Sequence, residues 1–247
     1  MHLKVARVAA KLMHSLAATV GSKVGKEAEE LCASGQCAAA AVALKLAVDL
    51  GHLPSRALMA HMLIIDGREG VAQDLNGAFE LVEEGARLGC HHCQGVMADC
   101  YMWGHGCELD AARSLEFARE SSGKGSRYGQ QLLGVLHHLG AGGIAEDDAQ
   151  AVALYRLAAA QNLDEAQFSL GDMYATGHGV AQDDAEALRL YQLAAAQGQP
   201  HALYNIAQCH EFGRGVPENK AEAIRWYRRA LAAGYCGAAA ELQRLCA

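Results

Sequence analysis

The chain has 247 residues and a formal net charge of −7, and 51% of its residues are hydrophobic although only 6% are aromatic and three are proline. This composition excludes a disordered chain and favours packed helices over a β-sandwich. The charge is uneven: residues 1–26 carry five basic and no acidic side chains, whereas residues 27–247 carry 16 basic and 28 acidic ones. The net negative charge of residues 27–247 argues against nucleic-acid binding.

The first predicted element is a basic amphipathic helix over residues 1–24. Val5, Val8, Leu12 and Leu16 recur on one side of it at helical spacing. Such a helix caps the remainder of the chain, serves as a mitochondrial or plastid targeting segment, or lies on an anionic membrane surface. No run of apolar residues approaches the roughly eighteen that a transmembrane helix needs, so no transmembrane segment is expected.

Residues 54–236 are organised as five repeats. Three of the repeats align residue by residue, and their starts differ by multiples of about 36 residues. The preceding residues 25–53 resemble a shortened, degenerate repeat, and residues 237–247 resemble a closing helix. The aligned segments are 93–125, 166–198 and 202–234; a unit with one inserted residue lies between the first two, and the most divergent unit runs from Ser55 to Gly89.

The best-preserved unit, residues 166–198, indicates that each repeat is a pair of helices. Apolar and small side chains recur at three- and four-residue spacing in its first ten residues. Gly177 and Gly179 are expected to end the first helix, because glycine adopts the left-handed conformations that reverse the chain. Asp183 or Asp184 is expected to cap the second helix.

The pattern A-x(3)-L-G-x(2)-Y-x(2)-G-x-G-V at residues 166–180 resembles the Sel1-like repeats, which are relatives of the tetratricopeptide repeats. Trp226 and Tyr227 occupy the aromatic pair of the same family pattern, whereas the unit that contains Ala118 departs from it by lacking the tyrosine there. The resemblance covers most of residues 54–236. It implies an all-α fold, an α/α superhelical solenoid of about five helix-turn-helix repeats whose stacking buries one continuous core.

The resemblance also implies a concave surface formed by the first helix of each repeat, where the tetratricopeptide relatives bind protein segments. Alignment of the repeats selects the side chains of this protein-binding groove. Aromatic and acidic side chains are mixed among them, so the expected partner is a protein with a basic or amphipathic segment. The groove residues are His92, Asp99, Trp103, Tyr128, His138, Phe168, Asp172, His201, Tyr204 and Glu211.

Members of the resembled family serve as non-catalytic adaptors and scaffolds, and this is the function expected here. No phosphate-binding loop, dinucleotide fingerprint, nucleophile elbow or HExxH zinc motif is present, so no catalytic residue and no cofactor is predicted. Three alternatives stay open: an accessory subunit of an organellar complex, a metal- or redox-binding protein centred on Cys90–Cys107, and an enzyme like the cysteine-rich bacterial relatives that bind or hydrolyse β-lactams. The last is disfavoured because no cysteine lies between Cys107 and Cys209.

The segment 90–93, with the letters CHHC, is the part of the chain most like a metal site, because thiolate and imidazole are zinc ligands. The repeat register argues against that interpretation, since Cys93 stands where other units have alanine, and Cys100 and Cys107 replace methionine and valine. All three are therefore expected to be buried as small apolar side chains, and no metal is predicted.

The nine cysteines are an odd number with no pairing framework, so we expect reduced thiols and an intracellular reducing compartment. The cytoplasm fits this expectation best, with the mitochondrion or plastid as the alternative if residues 1–24 are a targeting segment. The sequence leaves the oligomeric state open.

Overall fold

The computed structural model describes residues 2–34, 36–65 and 71–246, with side chains from residue 15 onward. These residues form thirteen helices and no strand, which confirms the predicted all-α solenoid. None of these helices is both long and apolar enough to cross a membrane. The helices are α1 (His2–Ala33), α2 (Cys37–Asp49), α3 (Leu53–Ile64), α4 (Leu75–Arg87), α5 (His91–Trp103), α6 (Ala111–Gly123), α7 (Arg127–Leu139), α8 (Asp148–Ala160), α9 (Asp164–Thr176), α10 (Asp184–Ala196), α11 (Pro200–Phe212), α12 (Lys220–Ala232) and α13 (Ala238–Cys246).

Each helix packs against the next along the chain, and α3 to α12 form five successive helix pairs. The first helices of the first three pairs also contact each other, α3 with α5 and α5 with α7. At the C-terminal end α13 packs on α12. At the other end α1 packs on α2, and because α1 continues to Ala33, the boundary expected between residues 24 and 25 falls inside one helix.

A Gly-x-Gly turn follows the first helix of each of the last four pairs. Gly177 and Gly179 have φ values of +76° and +66°, the left-handed conformation that ends α9 as predicted. The second glycine also lies against the preceding repeat, where an added Cβ would collide with the carbonyl of Asp148 at the start of α8. Glycine is thus required for the backbone conformation and for the contact that stacks two repeats.

The second helix of each repeat begins with a side-chain cap. Asp183 accepts hydrogen bonds from the backbone N–H groups of Ala185 and Glu186, at 3.0 Å each. Asp183, and not Asp184, is therefore the N-cap of α10. The same position is filled by Asp74, Asp110, Asp147 and Asn219 in the other repeats.

Small side chains let neighbouring repeats approach, and their sizes are matched across each junction. Cys93 is fully buried against Gly85 of α4, whereas Gly129 lies against Ser121 of α6. A larger residue on one side is therefore compensated by glycine on the other. The remaining junctions bury alanine on both sides, in the pairs Ala158–Ala166, Ala194–Ala202 and Ala230–Ala238.

Candidate protein-binding site

The residues predicted for the groove all lie on the first helices of repeats two to five, which are α5, α7, α9 and α11. Four of them, Asp99, Trp103, Phe168 and His201, line one cavity of about 230 Å³, which we call the central cavity. Side chains from four successive repeats therefore meet there. The other lining residues are Gln131, Leu132, Val135, Glu165, Ser169 and Gln199.

Two aromatic rings give the central cavity its largest apolar surfaces. Trp103 is the last residue of α5 and is 49% exposed. Phe168 is half-buried on α9, and its ring centroid lies 6.0 Å from that of Tyr191 and 5.7 Å from that of His201. The Trp103 indole is thus available to a partner, while neighbouring rings hold Phe168 in place.

The lining of the central cavity is acidic. Asp99 and Glu165 contribute carboxyl groups, and no lysine or arginine of the described chain lines the cavity. The His201 ring packs against Phe168 and Tyr235. Burial lowers the pKa of His201, so the ring is neutral at pH 7. Asp99 and Glu165 thus present carboxyl groups to a cation that enters the cavity, and Oδ2 of Asp99 also lies 3.4 Å from Nδ1 of His105.

Asp172, another residue predicted for the groove, forms hydrogen bonds within its own repeat and to the next repeat. Its Oδ1 accepts hydrogen bonds from the Tyr191 hydroxyl at 2.6 Å and from Nδ2 of Asn205 at 3.0 Å. Burial raises the pKa of Asp172, although these two hydrogen bonds act in the opposite direction. The carboxyl group therefore connects α9 with α10 and α11, and it is not part of the central cavity.

Tyr204 and Glu211 contribute to the C-terminal end of the solenoid. The ring centroid of Tyr204 lies 5.3 Å from that of Tyr227 and 4.8 Å from that of Tyr235. Glu211 is only 5% exposed, and it accepts hydrogen bonds from the Tyr227 hydroxyl at 2.8 Å and from the Arg244 guanidinium of α13. Tyr204 therefore packs within the last repeat, whereas Glu211 connects that repeat to α13.

His138 lies near the C-terminal end of α7. Its Nδ1 is 2.6 Å from Oδ1 of Asp148 at the start of α8, and its ring centroid is 6.1 Å from that of His178 in the turn after α9. His138 therefore contacts the second helix of its own repeat and the turn of the next repeat. It is not among the residues that line the central cavity.

A second cavity, of about 420 Å³, lies between α1 and the first helices of the repeats, and we call it the α1 cavity. Tyr128 is buried in its wall, with its ring centroid 5.2 Å from that of His61 and 6.1 Å from that of His92. Arg127 reaches α1, where its Nη2 lies 3.5 Å from Oε1 of Glu29. The charged residues of the lining are Lys26, Glu29, Glu30, Arg127 and Asp164.

His92 lies beside the α1 cavity and is neutral at pH 7. Its Nδ1 is 3.0 Å from the hydroxyl oxygen of Ser126 at the start of α7. Burial, together with the nearby His91 and Arg127, lowers the pKa of His92 to about 4. This side chain therefore joins α5 to α7 and presents no charge to a partner.

Sequence reasoning missed two contributions to these cavities. Gln199 lines the central cavity because it is the N-cap of α11, where its Oε1 accepts a hydrogen bond from the His201 N–H at 3.1 Å. A polar residue directly before Pro200 is the signal for such a cap. The contribution of α1 to the α1 cavity was missed as well. The sequence feature that indicates it is a pair of glycines four residues apart, Gly21 and Gly25. They pack against the start of α3 and the residues before it.

The burial predicted for Cys93 and Cys100 is confirmed, since both are fully buried. Cys107 is only half-buried, so the prediction of burial is wrong for this residue. It lies in the turn after α5, and the equivalent Val180 after α9 is half-buried too. Within the described residues, no group of three or more His, Cys, Asp or Glu side chains is placed to hold a metal ion.

Comparison with known proteins identifies the repeats. The family model of the Sel1 repeat matches five consecutive segments, which confirms the resemblance seen in the sequence. No curated protein sequence matches the chain. The matched segments are 54–90, 91–126, 127–163, 164–199 and 200–235.

Solved structures with the same fold come from several bacteria. A protective antigen of uropathogenic Escherichia coli, described as displaying an SLR fold, is 29% identical with a TM-score of 0.58; the match covers 82% of this chain but only 43% of that one. A Sel1 repeat protein from Oxalobacter formigenes is 21% identical with a TM-score of 0.59, over 89% of this chain and 86% of that one. An immunity protein from Pseudomonas aeruginosa is 16% identical with a TM-score of 0.54, over 87% and 83% of the two chains.

Proposed function

We propose that this chain, which belongs to the Sel1 repeat family, is a non-catalytic adaptor that binds a basic segment of a partner protein in the central cavity. Sel1 repeats generally form protein-interaction scaffolds, which supports a binding role. The observation that carries the proposal is the exposed Trp103 beside the carboxylates of Asp99 and Glu165, in a cavity that no lysine or arginine of the described chain lines.

The chemistry of the central cavity fits one lysine or arginine side chain of the partner. The aliphatic part of such a side chain packs against Trp103 and Phe168, and its charged end is attracted by the aromatic rings and the carboxylates. The cavity of about 230 Å³ is smaller than the roughly 300–1,000 Å³ typical of sites for drug-sized ligands. This size favours a single side chain over a substrate or a cofactor.

Affinity capture with matched baits tests the proposal. The baits are the unaltered chain, Trp103→Ala and the control Leu139→Ala, and their captured proteins are identified by mass spectrometry. Leu139 is a matched control because it ends α7 as Trp103 ends α5, is 51% exposed and does not line the central cavity. We expect a partner that the unaltered and control baits retain and the Trp103→Ala bait loses, because aromatic anchors dominate binding energy at such sites.

The captured partner then provides the second readout. Overlapping synthetic peptides from its sequence locate the bound segment, and replacement of each lysine or arginine in that segment by glutamine should identify one that is required. Equal retention by all three baits, with equal helical signal and melting temperature, would contradict binding in the central cavity. A bound segment with no required basic residue would contradict the proposed occupant.

A further inference from the structure

The first turn of α5 carries two thiols that the adaptor function does not use. Cys90 is the N-cap of α5 and Cys93 lies three residues later. The two side chains are 5% and 0% exposed. The equivalent positions of the next three repeats hold the pairs Ser126–Gly129, Leu163–Ala166 and Gln199–Ala202, so two adjacent thiols distinguish this junction.

Cys90 and Cys93 are spaced for a disulfide. Helix geometry places Cα atoms three residues apart at a distance of about 5 Å, within the range of roughly 4.4–6.8 Å that disulfides span. Both side chains are buried at the junction where α5 begins. This spacing permits a disulfide within the first turn of α5.

The two thiols differ in their protonation. The Cys93 thiol, the backbone N–H groups of Cys93 and His92, and the charge of Arg56 together lower the pKa of Cys90 to about 6 in spite of its burial. The neighbouring Cys90 side chain, burial and the negative charge of Cys90 raise the pKa of Cys93. At pH 7 Cys90 is thus a thiolate at a helix N-terminus, and Cys93 is the thiol beside it.

Three elements meet around this pair. Arg56 of α3 is held by Glu84 of α4, with Nη1 2.7 Å from Oε2, and the buried Nε of Arg56 finds no hydrogen-bond partner in the described chain. The Cys93 thiol donates to the carbonyl oxygen of Leu53 at 3.7 Å. Gly85 leaves the room for Cys93, because a Cβ added to Gly85 would lie 2.9 Å from that of Cys93.

We propose that Cys90 and Cys93 form a redox-active dithiol that a low-molecular-weight disulfide converts reversibly into a disulfide within α5. The Cys90 thiolate attacks one sulfur of the small disulfide, which forms a mixed disulfide and releases one small thiolate. Cys93 gives its proton to the released thiolate and attacks the sulfur of Cys90, which closes the protein disulfide and releases the second small thiolate, protonated by water. Two protein thiols lose two electrons, and the small disulfide gains them.

Two other buried cysteines lack this arrangement and serve as internal references. Burial raises the pKa of Cys100, and burial raises that of Cys209 to about 11. Both groups remain protonated at pH 7, so they react slowly with disulfides. A small disulfide should therefore oxidise Cys90 and Cys93 and leave Cys100 and Cys209 reduced.

The experiment uses the full chain in buffers of oxidised and reduced glutathione at pH 7. The reaction is quenched with acid, the chain is unfolded, and the remaining thiols are alkylated with N-ethylmaleimide before tryptic digestion. The peptide of residues 88–113 contains Cys90, Cys93, Cys100 and Cys107. In the oxidising buffers we expect this peptide to lose two hydrogen atoms and two of its four alkyl groups, with fragmentation placing the bond between residues 90 and 93.

The repeats themselves supply conservative variants. Cys93→Ala introduces the residue found at Ala166 and should accumulate glutathione on Cys90, since the resolving thiol is gone. Cys90→Ser introduces the residue found at Ser126 and should leave Cys93 alkylated in every buffer. Circular dichroism and melting temperature confirm that both variants fold.

Three outcomes would overturn the proposal. The first is full alkylation of residues 90 and 93 in the most oxidising buffer, while the exposed Cys236 shows that glutathione reacts with the chain. The second is a disulfide between residues 100 and 107 in place of the one proposed. The third is a folded Cys93→Ala variant that forms no mixed disulfide at residue 90. None of these outcomes bears on partner binding at the central cavity, so the adaptor proposal is tested separately.

Discussion

Where one repeat lacks a residue of the family pattern, the side chain that faces it on the neighbouring helix changes as well. Gly171 lies against the tyrosine of the following helix, where an added Cβ would be 2.7 Å from Cε1 of Tyr191. In the repeat where Ala118 replaces that tyrosine, Ala98 replaces the glycine, and both alanines are fully buried. The Ala118 departure is visible in the sequence. Its compensation was not predicted, because it requires knowing which residues face each other across two helices.

The junction of Gly85 and Cys93 gives a first prediction. Gly85→Ala should lower the free energy of unfolding by about 1–3 kcal/mol, because the added methyl group overpacks a closed junction, whereas alanine for glycine in an open helix position stabilises. The double variant Gly85→Ala, Cys93→Ala recreates the alanine pair of the last three junctions and should recover much of the loss. Urea unfolding of the unaltered chain, the two single variants and the double variant measures this coupling. Strictly additive effects of the two substitutions would contradict the packing argument.

The buried carboxyl group of Asp172 gives a prediction about pH. Its pKa in the folded chain is raised above the ordinary value of 3.8, so the folded state favours the protonated form. The stability of the unaltered chain relative to Asp172→Asn should therefore fall as the pH rises from 3.8 through the raised pKa, and stay constant above it. Asparagine keeps an acceptor for the Tyr191 hydroxyl without the charge.

Urea unfolding of the two chains between pH 3.5 and pH 7 measures this difference. Asp172→Ala is the control, because it leaves the Tyr191 hydroxyl and the Asn205 amide without their acceptor. It lacks the titrating group as well, so it should be less stable than Asp172→Asn by about 1–3 kcal/mol at every pH. A stability difference that favours the unaltered chain more at pH 7 than at low pH would show that the hydrogen bonds outweigh burial.

Among the elements, the helix pairs and a helix at the start of the chain were predicted, but the continuation of that first helix to Ala33 was not. Periodicity, turn glycines and N-cap residues locate the helices of residues 54–236, since each repeat contains the same local signals. Glycine lowers helix propensity, so Gly21 and Gly25 favour an end to α1 near residue 24. The helix continues to Ala33 because these glycines allow close contact with Leu50, His52 and Ser55.

The close contact of α1 can be tested by one added methyl group. A Cβ on Gly25 would lie 2.6 Å from Nδ1 of His52 and 2.7 Å from the Ser55 hydroxyl oxygen, and it would break the 2.7 Å hydrogen bond between those two groups. Gly25→Ala should therefore loosen α1 and speed amide hydrogen exchange along it.

Gly123→Ala is the matched control for this substitution. No other part of the described chain lies within 4 Å of the position that its Cβ would take, so substitution by alanine should stabilise the chain by up to about 0.5–1 kcal/mol. If amide hydrogen exchange in α1 is faster for both variants, or for neither, the close contact of Gly25 with His52 and Ser55 does not keep α1 packed in place.

For the whole molecule, the candidate site arises from stacking, because α5, α7, α9 and α11 each contribute to the central cavity. The repeat register predicted these four helices and four of the lining residues. It did not predict that Asp172 and Glu211 accept hydrogen bonds from Tyr191 and Tyr227 between helices. Such pairings depend on side-chain conformations that a repeat alignment does not contain.

The central claim is that the cavity beside Trp103 holds a cationic side chain of a partner. A double-mutant cycle tests it most directly, with binding of the captured segment measured by isothermal titration calorimetry. The four combinations pair the unaltered chain or Trp103→Ala with the native segment or its variant in which the required lysine or arginine is glutamine. We predict a coupling energy of roughly 0.5–2 kcal/mol, as expected for a cation near an aromatic ring. Additive losses, with no coupling between the two substitutions, would contradict the account.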